Sequence, residues 1–182
     1  MSYYRELKDS ILSLKEVFFL SPREIWFLKF LEDAEYPLEV VKEGIEEFYL
    51  SISPEKRSKT PLFFSFEYVK RAYERYALKR GRQVKMNWLK IYKEKLESVK
   101  HLLKDANLPK IEPKDEAQAE NILISIENVL VKRLWEAMPK EKKNKILRKY
   151  SQFRENEELF KLMIKHEIMK NYGIKPLSLY VS

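Results

Sequence analysis

Scarcity of glycine is the tightest constraint on this chain. Only three occur in 182 residues, Gly44, Gly81 and Gly173, against eight prolines. With so little glycine, and with prolines placed at helix starts and stops, long helices are the natural reading. Residues 3–16 make a first helix. Ser21-Pro22-Arg23-Glu24 then has the form of a capping box. Ser21 caps, Pro22 suits the first helical position and Glu24 reaches back. That helix runs to about Asp33, and Pro37 opens the next. Its Leu38, Val41, Ile45, Phe48 and Ile52 line one face at spacings of 3 and 4. Gly44, in mid-helix, costs about 1 kcal/mol relative to Ala. Close approach by a large neighbour such as Trp26 would explain it.

The polar stretch 53–61 reads as a loop, and 66–80 as a helix stopped by Gly81. Leu89, Tyr92, Leu96, Val99, Leu103 and Ala106 then repeat at 3, 4, 3, 4, 3, a heptad-type seam. A broad apolar face returns on Ala119, Ile122, Leu123, Ile126, Val129, Leu130 and Leu134. Segments 86–106 and 116–138 therefore pair as an αα-hairpin. The seam closes either within one chain or between two copies, as a homodimer. Helices near 140–153 and 156–172 follow, the last capped by Gly173, and 174–182 is an extended C-terminal tail. The predicted fold is all-α, a multi-helix bundle of about seven helices. It forms a single domain over 1–182, or sub-lobes 1–81 and 84–173 with the tail.

Several chemistries are excluded by what is missing. No cysteine is present, so disulfides, thiolate zinc sites and a cysteine nucleophile are ruled out. Three scattered glycines cannot supply a phosphate-cradling loop or a dinucleotide fingerprint. His101 is preceded at three residues by Ser98 and His166 by Met163, so neither makes the Glu-x-x-His of a helical di-metal site. The adjacent pairs Glu46-Glu47 and Glu157-Glu158 point different ways on a helix and read as solvated faces. No catalytic residue, metal ligand or cofactor is expected. No apolar run approaches 18 residues and the first residues lack a signal-peptide pattern, so a cytoplasmic, non-membrane protein is expected. Charged residues reach 35%, above the usual quarter, a bias seen in thermophile proteins.

The net charge of +8 is unevenly placed. Residues 1–60 hold 9 basic and 12 acidic residues, 61–110 hold 13 and 5, and 111–182 hold 14 and 11. Within the centre, Arg71, Arg75, Lys79 and Arg82 fall at steps of 4, 4 and 3 and make a stripe, which Lys85 extends. Such a stripe can neutralise phosphates of DNA or RNA and release counterions. Tyr68 or Trp88, where exposed, could stack on single-stranded bases. The helix pair 22–33 and 37–52 has the outline of a helix-turn-helix. Its second helix carries Glu39, Glu43, Glu46 and Glu47, which phosphates would repel, so it is rejected as a duplex reader.

Two segments carry resemblances. Residues 21–76, from Ser-Pro-Arg-Glu-Ile-Trp through Tyr-Pro-Leu-Glu-Val-Val-Lys-Glu-Gly-Ile-Glu-Glu-Phe to Phe-Glu-Tyr-Val-Lys-Arg-Ala-Tyr, resemble an uncharacterised family of bacterial helical proteins. They are distantly similar to DnaD-like replication domains, which implies a helical fold and a role in replication or repair. Pro176-Leu177-Ser178-Leu179-Tyr180 resembles the bacterial sliding-clamp-binding peptide Gln-Leu-Ser/Asp-Leu-Phe. Leu177, Ser178 and Leu179 match, Tyr180 stands for Phe, and Pro176 replaces the Gln that normally bonds in the clamp's pocket. The resemblance implies docking through Leu177, Leu179 and Tyr180; the competing reading is a tail folded back on the bundle. The expected function is a non-enzymatic accessory protein of DNA or RNA metabolism, or alternatively a helical scaffold that binds only proteins.

Overall fold

The capping box at Ser21 forms as its spacing predicts. Glu24 N–H donates to Ser21 Oγ, and the Glu24 carboxylate accepts from Ser21 N–H at 2.8 Å. The computed structural model describes residues 2–84, 87–103 and 112–180, with 80–84 described by backbone alone. Among these residues nine helices form and no strand: α1 (Tyr3–Lys15), α2 (Pro22–Asp33), α3 (Leu38–Ser51), α4 (Pro54–Arg57), α5 (Phe66–Val84), α6 (Trp88–Lys100), α7 (Glu116–Ala137), α8 (Lys140–Lys149) and α9 (Glu157–Asn171). The count exceeds the expected seven partly because the 53–61 loop contains the single turn α4, and Gly81 does not stop the helix expected over 66–80, since α5 runs on to Val84. The chain divides into two compact units, Met1–Leu78 and Lys79–Ser182.

In the first unit α1 packs on α2 and α3, and a 3-10 turn over Leu62–Ser65 packs on α2 and α3. Glu24 ties these pieces together from inside. Its carboxylate forms a buried ion pair with Lys15 at the end of α1 and accepts from the Leu62 N–H at 3.1 Å. Burial pushes the Glu24 carboxyl up, but the hydrogen bonds from Lys15 and Ser21 outweigh it and hold the group below its ordinary range. Tyr49, fully buried nearby, donates from its hydroxyl to the Thr60 carbonyl at 3.0 Å.

Gly44 has a different neighbour from the one expected. Trp26 is 43% exposed. A Cβ on Gly44 would instead lie 2.5 Å from both N and Cα of Val69. The backbone of α5 crosses α3 here, at a separation only glycine permits. The α3 face is also wider than the five-residue stripe. Val41, Ile45 and Phe48 are buried, and so are Val40, Gly44 and Tyr49.

In the second unit α6 lies against α7 as the predicted hairpin, α9 packs on α7, and α8 on α9. The seam departs from a strict heptad. Tyr92, Val99 and Leu103 are buried and Leu96 packs beside them, but Leu89 is 45% exposed, while Trp88 and Ile91 pack on the core instead. A straight helix has 3.6 residues per turn, so its buried stripe drifts from a 3.5 repeat. Val129, placed on the α7 face by spacing, is likewise exposed. Ala106 lies outside the described residues.

Candidate basic interface and the C-terminal tail

The predicted stripe on α5 is occupied unevenly. Arg71 is exposed, with its guanidinium 4.3 Å from the Tyr68 ring centroid. Arg75 is committed to α3: its Nη2 donates to Glu43 at 2.6 Å and to Glu47 at 2.7 Å. Hydrogen bonds to those two carboxylates raise its pKa further. Lys79 is exposed. Arg82 lies on α5 where only backbone is described, and Lys85 is outside the described residues. The stripe is thus of mixed sign at its centre, because α3 presents its glutamates to the arginine that spacing alone assigned to phosphate. The proposed stacking residues are also engaged. Tyr68 is half-buried under Arg71 with its hydroxyl 3.0 Å from Ser51 Oγ, and Trp88 packs on the second unit's core.

The tail is folded back. Leu177 and Leu179 are buried in the core with Tyr92, Val99, Leu123 and Ile126, and Tyr180 packs partly against it. Residues 174–178 are neither helix nor strand and follow Gly173, whose φ of +66° suits glycine. Two carboxylates of α7 receive it: Glu127 accepts the Leu177 N–H at 2.7 Å and Glu120 the Leu179 N–H at 2.8 Å. From the other side Lys95 donates to the Pro176 carbonyl at 2.9 Å. Glu127 is balanced by Lys165. Burial pushes the Glu120 carboxyl up, against the hydrogen bonds from Leu179 and Ser178. An open cleft of about 730 Å³ lies between α6 and the tail, lined among others by Lys95, His101, Tyr172 and Lys175.

Charge follows the two units. The first carries 12 basic and 14 acidic residues, net −2; the second carries 24 and 14, net +10. Part of that excess sits on α8, which has six basic residues out of ten. This helix lies outside the 61–110 stretch that the charge count by segment singles out. The signal was present, since Lys140-Glu-Lys-Lys-Asn-Lys-Ile-Leu-Arg-Lys149 contains one acidic residue.

Fold and surface together define a class: an all-helical protein of two compact units between which charge is sorted. The chain belongs to the same family as an uncharacterized protein of Aquifex aeolicus (strain VF5), to which it is 45% identical over 174 residues, spanning 96% of this chain and 98% of that one. A family model described as "Uncharacterised protein" matches residues 2–85, which covers the first unit and runs past the end of α5 at Val84. No solved structure matches. The likeness to DnaD-like domains finds no support in these comparisons. No helix among the described residues is long and apolar enough to cross a membrane.

Proposed function

We propose that this chain is a non-enzymatic helical accessory protein that binds DNA or RNA by its phosphate backbone. The observation that carries the reading is the concentration of positive charge, net +10, in the unit Lys79–Ser182. Such an excess attracts polyanions and releases their counterions on contact, giving salt-dependent, sequence-indifferent binding. On α5, Arg71 and Lys79 supply exposed charge, while Arg75 would first have to leave Glu43 and Glu47. The test is an anisotropy titration of single- and double-stranded oligonucleotides at low and high salt. Micromolar binding that weakens steeply with salt is expected; absence of binding at low salt overturns the reading.

A second reading, a module that binds only proteins, is favoured by one feature. Phe18 and Phe19, between α1 and α2, are 97% and 78% exposed. Adjacent exposed aromatics are what a protein partner buries as anchors. Clamp docking through Leu177, Leu179 and Tyr180 would require the tail to leave the groove where Glu120 and Glu127 hold it.

A further inference from the structure

The outer face of α8 has only a partial structural explanation. Its inner side is Ile146, buried, with Leu147 half-buried beside it. Two of its six cations are engaged with neighbouring groups. Lys143 donates to the Glu136 carbonyl at 3.2 Å and lies over the Trp135 ring. Lys149 pairs with Glu167 at 2.7 Å. The other four, Lys140, Lys142, Lys145 and Arg148, are exposed, and among the described residues none of them forms an ion pair.

Elsewhere in the chain several lysines have a carboxylate within reach. Lys70 is matched by Glu67, Lys90 by Glu94, Lys100 by Glu97 and Lys161 by Glu157, each one helical turn away. On α8 the sole acidic residue is Glu141. Helix stability accounts for only part of the arrangement: Glu141 in the first turn and Arg148 and Lys149 in the last complement the helix dipole. Lys140 and Lys142 stand in the first turn, at the positive end of the dipole, where cations are unfavourable. That end begins at Pro139 with no side-chain cap, so its free N–H groups add to the same positive potential. An anion docked there would relieve both.

Lys142, Lys145 and Arg148 recur every third residue, about 4.5 Å of rise per step, on one side of the helix. No apolar side chain of α8 is exposed among them. A membrane-surface helix needs an apolar face to insert, and a protein interface needs buried anchors. A phosphate backbone needs only charge in a row. We propose that the outer face of α8 is the phosphate-docking surface of this protein, with Lys142, Lys145 and Arg148 as contacts and Lys140 at the open helix end. This rests on the nucleic-acid reading above.

The test uses the full chain, a labelled 20-nucleotide single strand and its duplex, between about 50 and 200 mM salt, the range over which such contacts weaken strongly. The variant is K142Q/K145Q/R148Q. The control is K90Q/K93Q/K100Q on α6, with the same loss of charge in the same unit. In the α8 variant the slope of log affinity against log salt should fall by about 3, roughly one per lost phosphate contact. Its affinity at the lowest salt should drop at least about tenfold. The control should keep a slope within about 1 of wild type. Wild-type binding with an unaltered α8 variant overturns the assignment to α8 and leaves the nucleic-acid reading standing. No binding by wild type removes both. Binding to phosphatidylserine vesicles but not to either oligonucleotide overturns the proposal in favour of a membrane. Circular dichroism checks the fold; if the triple variant unfolds, R148Q alone, with an expected slope change of about 1, decides.

Discussion

Two glutamates, Glu24 buried and Glu120 half-buried, are shifted in opposite directions. Glu24 accepts from Lys15, Ser21 and Leu62, and its pKa is held down; Glu120 accepts the Leu179 N–H but is pushed up by burial. A lowered carboxyl contributes stability that is present above the unfolded value, about 4.3, and is lost as pH falls through the folded one. A raised carboxyl contributes stability that is full below that value and lost as pH rises through the folded one. Glu24→Gln leaves Lys15 buried without its charge partner and should cost about 3–5 kcal/mol at neutral pH, a deficit that narrows in acid. Glu120→Gln keeps an oxygen for Leu179 and sheds the charge, so stability at neutral pH should hold or rise, with a flatter profile on mild acidification. Thermal melts from about pH 3 to 8, on either side of the ordinary carboxyl value, check the pair; parallel profiles would refute the assignment. Gly44→Ala gains about 1 kcal/mol in helix propensity. Its Cβ nevertheless meets Val69 backbone at 2.5 Å, and backbone cannot rotate aside. We expect a net loss of about 1–3 kcal/mol in urea unfolding; an unchanged midpoint would mean that α3 and α5 separate freely.

At the level of elements, the tail is core rather than appendage. Leu177 and Leu179 have 2% and 4% of their surface exposed, so Leu177→Ala should cost about 2–5 kcal/mol. Truncation after Gly173 should cost more, read by urea unfolding. Truncation without loss of stability would free the tail for the docking-peptide reading. What was legible in the sequence follows from distance along the chain. The Ser21–Glu24 box, the α6–α7 hairpin and the Gly173 stop are local patterns of spacing and capping, and they form where expected. The neighbour of Gly44 is 25 residues away at Val69, and the acceptors of the tail's N–H groups, Glu120 and Glu127, are 59 and 50 residues away. No periodicity encodes such pairs. The stripe on α5 failed to stay a simple cationic row for the same reason. Spacing aligned Arg71, Arg75 and Lys79, but only the packing of α3 beside α5 brings Glu43 and Glu47 to Arg75.

For the molecule as a whole, the sorting of charge sets where a polyanion should act. One unit is nearly neutral at −2 and the other carries +10, so long-range attraction is directed at the second and is screened within about 10 Å at 0.1 M salt. A ligand that binds only the folded form stabilises it by mass action, about 2.7 kcal/mol at a hundredfold excess over its Kd. Hydrogen exchange of the full chain with excess oligonucleotide reads this directly. Amides of α7, α8 and α9 that exchange by unfolding should slow by up to about a hundredfold at low salt. The effect should vanish near 0.5 M, where the counterion term is lost. Amides of α1 to α3, built around the Lys15–Glu24 pair in the acidic unit, should exchange at their free rates. Salt-independent protection would argue for a contact built on shape or apolar burial, such as Phe18 and Phe19 provide. Protection confined to α1–α3 would move the binding surface to the unit that carries no cationic excess, and so overturn a reading built on the +10 of the other.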